Sequence, residues 1–245
     1  MSLLDHCIIP DWPAPPGVKA LQTTRHGGVS RAPYDSLNLG DHVGDDPRAV
    51  ARNRQLLSPL LPSEPVWLNQ VHGVEVVRGD AAGCLSKADA CVATRPGTVG
   101  VVMTADCLPV LLCDEQGTVV GAIHAGWRGL CAGVIERTAG TMNVAPHKLM
   151  AWLGPAIGPT AFEVGEEVRA AFLARQEQAA EAFVPARAQG KYLADICLLA
   201  RQRLQALGIT RIHGGGLCTY TDRARFFSYR RDGATGRMGT FIWLV

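Results

Sequence analysis

The sequence has 245 residues, enough to bury a substantial core, and a formal charge of +2. That balance gives no electrostatic footprint for nucleic acid, and no apolar run approaches the ~18 residues that span a bilayer. Eight cysteines without an export signal in MSLLDHCIIPDWPAPPG point to reduced thiols in a cytoplasmic protein rather than a disulfide framework. None is spaced C-x-x-C, which sets aside zinc ribbons and thioredoxin-like motifs. Cys91, Cys113, Cys131 and Cys197 lie in apolar runs and read as small core residues.

Residues 22–44 are polar and rich in turn formers, and they carry Arg25, His26, Asn38 and His42. Val29, Leu37 and Leu39 within them argue for an ordered loop packed on the body. Asp45-Asp46-Pro47 is a helix start, with Asp as N-cap and Pro at the first helical position. Residues 66–77 alternate as one or two strands interrupted at His72-Gly73, and 87–94 and 99–103 read as further strands. Asn69, Gln70 and His72 are polar groups in an apolar setting and need partners. Gln70 shares parity with His72, which makes it a candidate for a supporting or base-reading role.

The stretch 104–129, TADCLPVLLCDEQGTVVGAIHAGWRG, holds two apolar runs around Asp114-Glu115-Gln116-Gly117 and reads as a β-hairpin. If Asp114 and Gly117 close the turn, Cys107 falls opposite His124 with Cβ atoms about 5 Å apart. Pro109 then requires an edge strand or a bulge. The glycines of 126–129, running into a helical pattern (Leu130, Val134, Ile135, Thr138, Met142), would leave N–H groups and Arg128 free for a phosphate or carboxylate. A plain strand-to-helix turn reads equally well.

Further on, 148–153 is a strand ending in the rigid turn 154–159. Residues 165–176 and 193–207 are amphipathic helices, the second stopped by Gly208, and 212–220 is a glycine-broken strand. Residues 226–245 read as a closing hairpin. Arg223, Arg225, Arg230, Arg231 and Arg237 surround it, either as a solvated rim or as an anion-binding wall with Arg230 or Arg231. With no repeat or linker, 1–245 reads as a single domain.

His72, Cys107 and His124 are candidate metal ligands, and three such ligands leave the open fourth position of a catalytic zinc site. Zinc so held lowers the pKa of bound water to about 7. Copper suits the same donors, although the seven histidines include no His-x-His pair of the kind a multicopper cluster needs. Three alternatives remain open on the residues alone. One is a Cys107–His124 nucleophile–base pair, as in cysteine hydrolases. Another is a buried structural ion without turnover, and the last is a redox-sensitive thiol.

Three blocks, Asn69-Gln70-Val71-His72-Gly73, Thr104-Ala105-Asp106-Cys107-Leu108-Pro109 and His124-Ala125-Gly126-Trp127-Arg128-Gly129, resemble signatures of the YfiH family, also called the laccase-domain or polyphenol-oxidase family. TRHGGVS (24–30), SLNLG (36–40), LGPAIG (153–158) and FSYRRDG (227–233) extend the resemblance over nearly the whole chain. It implies an α/β (α+β) sandwich of mixed sheets flanked by helices, and zinc on His72, Cys107 and His124. It also implies phosphorolysis of adenosine, inosine and methylthioadenosine and deamination of adenosine, with a purine nucleoside and phosphate as the small-molecule partners. Older labels in the family name a copper polyphenol oxidase, and some members are tied to peptidoglycan editing. For phosphate and substrate the candidates are Arg25, Asn38, Arg128 and Arg230; for catalysis, Asp106 and Gln70.

Overall fold

The computed structural model describes residues 2–81 and 86–245. The chain opens with β1 (Cys7–Ile8), β2 (Val18–Thr23), α1 (Pro47–Leu57), β3 (Val76–Arg78) and β4 (Ala90–Ala93). It continues through β5 (Gly100–Thr104), β6 (Leu108–Asp114), β7 (Val120–Ala125), α2 (Trp127–Ala132), α3 (Val134–Met142) and β8 (Leu149–Leu153). Then come β9 (Glu163–Gly165), α4 (Glu166–Leu173), β10 (Phe183–Pro185), β11 (Lys191–Ala194) and α5 (Ile196–Ala206). The last elements are β12 (Arg211–Gly214), the single turn α6 (Tyr229–Asp232) and β13 (Met238–Leu244).

These strands make an α+β fold with mixed sheets. The larger sheet has the order β12-β8-β6-β7-β4-β3, with β12/β8 and β3/β4 parallel and the rest antiparallel. A second, antiparallel sheet has the order β1-β2-β13-β5, and a third, small one the order β10-β11-β9. Successive side chains of β6 and β7 go to opposite faces. Leu111, Cys113, Val120 and Ala122 pack on Val18, Val102, Ile242 and Leu244 of the second sheet. Val110, Leu112 and Ile123 face Val134, Ile135, Leu199 and Leu204 of α3 and α5. With both faces covered, the two strands are apolar almost without interruption, as their sequences show.

The outer face of the second sheet (Leu21, Val101, Met103, Phe241) is covered by Leu57 of α1 and by Leu37 and Leu39 of the 22–44 loop. That loop is ordered, as its aliphatics suggest. Asn53 of α1 pins it, accepting from Val29 N and donating to Ser30 Oγ and to the Ser36 and Asn38 carbonyls. Local signals also hold where they set helix ends. Asp46 Oδ1 accepts Arg48 N at 2.9 Å to start α1, and Gly208 follows α5 with φ +89°.

Longer-range expectations need correction. In the 104–129 hairpin, Pro109 rather than Cys107 faces His124, and Leu108 faces Ala125. Asp114 takes Thr118 N, Thr118 Oγ1 and Val119 N on its carboxylate, so the connection is four residues rather than two and the register moves by two. A shift of two keeps every side chain on its face. Nor is β6 an edge strand, since it lies between β8 and β7. Pro109 is tolerated because it is the second residue of the strand and because His124 N donates to Asp89 O on the opposite side.

Residues 66–77 contain only β3, because the segment before it is drawn into a loop. The helix expected over 165–176 shortens to α4, while 193–194 belong to β11 and 212–220 keep only the end of β12. The hairpin expected over 226–245 does not form. Phe226 and Phe227 are buried core residues before α6, and β13 pairs with β2 and β5.

Candidate functional site

The chain leaves β5 at Thr104 and enters β6 at Leu108, so Ala105-Asp106-Cys107 form a connection between the two packed sheets. Asp106 has φ +94°, and this sharp reversal presents Cys107 beside the end of β7, where His124 sits. The third side chain comes from the 69–73 loop. His72 has φ +60°, and the N–H groups of Val71, His72 and Gly73 all point at the carboxylate of Asp89, at 3.2, 2.9 and 2.7 Å. Asp89, 0% exposed, also binds His124 Nδ1 at 2.8 Å. One buried carboxylate therefore places both histidines, one through the backbone of its loop and the other through its ring. Nothing in the spacing of the sequence marks Asp89; the only signal is a lone acid inside an apolar strand pattern.

One ligand atom from each of His72, Cys107 and His124 lies within 4.8 Å of the other two, and Cys107 Sγ is 3.8 Å from His72 Nε2. A tetrahedral ion with metal–sulfur near 2.3 Å and metal–nitrogen near 2.0 Å needs donors roughly 3.5 Å apart. Asp89 occupies His124 Nδ1 and so leaves Nε2 for the cluster. Gly126 keeps the space open, because a Cβ there would sit 2.9 Å from His72 Cδ2 and 3.1 Å from Cys107 Sγ. The three side chains could thus hold a metal ion.

The charges support such a role. Burial by itself pushes the Cys107 thiol up, but the charge of His124 and hydrogen bonds from both histidines outweigh it and pull Cys107 down to about 6. Burial likewise opposes a charged His124, while Cys107 and Asp89 favour it and raise it to about 9. Burial works against the charge of Asp89, yet the His124 bond and the backbone N–H groups keep its carboxyl below the usual range.

Two cavities meet at this cluster. One of about 410 Å³ is lined by His42, Gln70, His72, Thr104, Cys107 and Arg237, among others. The second, about 240 Å³, is lined by Cys107, Trp127, Arg128, Ile157, Phe162 and Arg230, among others. His72, Ala105, Cys107 and Tyr229 belong to both, so the cleft runs continuously past the cluster.

The remaining sequence candidates are scattered. Gln70 lines the larger cavity, but its carboxamide is paired with the Met103 backbone, donating to the carbonyl at 2.8 Å and accepting the N–H at 2.7 Å. Asp106 accepts Thr219 Oγ1 and Arg230 N, both at 2.6 Å. Arg128 is exposed and lies over the Trp127 ring. Arg230 donates to Glu163 O and approaches Phe162. Arg25 lies outside the cleft, in a different cavity with Asp35, Arg223 and Arg231. Asn38 is fully buried, and its carboxamide oxygen accepts Gly40 N and Arg237 N. Arg231 is committed to Asp232 and to the carbonyls of Thr219, Tyr220 and Phe226.

Residues 19–245 match the profile of a family described as multi-copper polyphenol oxidoreductase laccase. The chain belongs to this family. Within the laccase-domain family it is 57% identical over 237 residues to purine nucleoside phosphorylase PA4543 of Pseudomonas aeruginosa, covering 97% of this chain and 98% of that one. Purine nucleoside phosphorylase YfiH of Escherichia coli is also 57% identical, over 241 residues, with 97% and 98% covered. Among solved structures, that of Neisseria meningitidis protein NMB0706 superposes with a TM-score of 0.94 at 51% identity, covering 98% of this chain and 99% of that chain. YlmD from Geobacillus stearothermophilus superposes with a TM-score of 0.83 at 31% identity, covering 94% and 92%.

Proposed function

We propose that this laccase-domain chain acts, as one unit over 1–245, as a cytoplasmic zinc-dependent purine nucleoside phosphorylase, on adenosine, inosine and methylthioadenosine, and that it also deaminates adenosine. The observation that carries the reading is the convergence of His72, Cys107 and His124 at the junction of two cavities. The names of relatives matched over almost their whole length add the substrate class. Seven free cysteines among the described residues suit a reducing compartment, and no helix among them is long and apolar enough to cross a membrane.

Bound zinc would supply positive charge beside a reacting oxygen, and copper fits the same donors. The chain's own residues do the rest. Trp127, Ile157 and Phe162 form an apolar wall suited to a purine ring, with Arg128 and Arg230 at its rim. Asp106 anchors the start of α6, and Gln70 ties the His72 loop to β5; both act by positioning. In phosphorolysis a phosphate oxygen bonds to C1′ of the ribose and the C1′–N9 bond breaks. The electron pair leaves with the base, which takes the proton of HPO₄²⁻. In deamination water adds at C6 and ammonia departs.

A second reading is favoured by one observation. The line Asp89–His124–Cys107, with its lowered thiol, is also the arrangement of a cysteine hydrolase acting on an amide or ester. Incubating adenosine with the purified protein, with and without phosphate and beside Cys107→Ala, separates these readings. Phosphate-dependent adenine identifies the phosphorylase and phosphate-independent inosine the deaminase. Neither product, with zinc bound, overturns the nucleoside reading and turns attention to amides, including cell-wall peptides.

A further inference from the structure

We infer that the larger cavity is the phosphate subsite, with Arg237 as its cation and the Thr104 hydroxyl as a second donor. The inference rests on the phosphorylase reading and deepens it. Arg237 precedes β13, and its backbone N–H is held by Asn38 Oδ1 at 2.9 Å. Its side chain donates, among the described residues, only to its neighbouring carbonyls, Thr235 O at 3.0 Å and Gly236 O at 3.1 Å. Among the described residues no carboxylate lies within 4.0 Å of this guanidinium, whereas Arg25, Arg54, Arg203, Arg223 and Arg231 each have an acidic partner. Burial disfavours its charge, and the cation stands in a cavity that also contains the metal-ligand cluster. A partly buried cation without a carboxylate is stabilised when an anion enters.

A second observation is independent of the first. Thr104, 2% exposed, lines the same cavity, and its Oγ1 has no hydrogen-bond partner among the described residues. A buried hydroxyl left unsatisfied is uncommon, and a phosphate oxygen would satisfy it. His42 lines the cavity as well, and burial, followed by the charge of Arg237, holds its pKa below the ordinary imidazole value. Arg128 and Arg230 are exposed and belong to the apolar lobe on the far side of Cys107. The cleft thus separates an oxyanion lobe from a base lobe, with His72 and Cys107 between them. A phosphate oxygen delivered from the Arg237 side meets a ribose whose base occupies the other lobe.

The test titrates inorganic phosphate, and separately adenosine monophosphate, into the metal-loaded protein by calorimetry, and measures phosphate-dependent adenine release. Wild type, Arg237→Gln, Arg237→Lys and Thr104→Val are compared, with circular dichroism melts confirming folding. Expected for Arg237→Gln is at least a tenfold weaker phosphate affinity and a matching rise in the phosphate KM, with the adenosine KM within twofold. Arg237→Lys should recover part of the loss, since it keeps charge but not the planar fork, and Thr104→Val should weaken phosphate severalfold. Unchanged phosphate affinity and KM in folded Arg237→Gln and Thr104→Val, with adenine release intact, overturns the subsite and leaves the phosphorylase standing. Phosphate binding that depends on Arg237 in a protein that releases no adenine keeps the anion site and removes the phosphorylase. Binding of adenosine monophosphate but not of inorganic phosphate also overturns the assignment.

Discussion

Replacing Asp89 with asparagine should loosen both histidines at once. The carboxylate accepts four hydrogen bonds: Oδ1 takes His72 N and His124 Nδ1, and Oδ2 takes Val71 N and Gly73 N. An amide has one acceptor oxygen, so in either orientation two donors face an NH₂ group. Hydrogen bonds to a charged partner contribute about 1.5–3 kcal/mol each. Losing two at a fully buried site therefore costs roughly 3–6 kcal/mol, out of a typical total stability of about 5–15 kcal/mol. The melting temperature of the metal-free protein should fall on the order of 10 °C. Zinc affinity, measured by competition with a chromophoric chelator, should fall about 10–100-fold because the His124 ring loses its orienting charge. An Asp89→Asn protein that melts within about 2 °C of wild type and holds zinc equally well would refute the idea that this carboxylate organises the site.

Gly126→Ala should fold normally yet lose at least about tenfold in zinc affinity, because the new methyl displaces the exposed His72 ring; metal analysis after dialysis checks it. In the hairpin, burial raises the Asp114 carboxyl, but its bonds from Val119 and Thr118 outweigh this and hold it below the usual value. Its contribution is therefore present above the unfolded value of about 3.9 and is lost as pH falls through the folded one. Asp114→Ala should thus destabilise by about 2–4 kcal/mol at pH 7 and converge with wild type in strongly acidic solution; melts across pH test the convergence. After metal removal, Cys107 should alkylate with a midpoint near pH 6, read as the rate lost in Cys107→Ala. A midpoint above about 8, the ordinary thiol range, would contradict the charge argument.

What the sequence made legible was local. Asp46 and Gly208 mark helix ends because a cap needs only its immediate neighbours. The apolar runs of β6 and β7 announce strands covered on both faces, and the parity of the hairpin survives its two-residue register error. Misread features depended on distant partners. Residues 226–245 alternate enough to suggest a hairpin, but β13 finds stronger company in β2 and β5, far away in the chain. Residues 69–73 carry strand-like alternation until the Asp89 carboxylate collects their N–H groups. Nearness of His72, Cys107 and His124 could be suspected from residue types, whereas the carboxylate behind them could not. Arg237, seen from the sequence, is one of a cluster of arginines; only the packed structure shows that, among the described residues, Arg223, Arg225 and Arg231 have acidic partners while Arg230 and Arg237 do not, and that of these two only Arg237 lines the larger cavity.

The placement of β13 has a consequence for synthesis. It sits between β2 and β5 and joins them into one sheet. A nascent chain that has emerged only as far as α6 already contains every strand of the larger sheet and all three side chains of the cluster. It then has β2 and β5 waiting as two open edges, and edges of that kind recruit other strands. Late pairing over such a sequence separation is slow, so the interval before residues 238–244 arrive is when this protein is most exposed to misassembly and most in need of a chaperone.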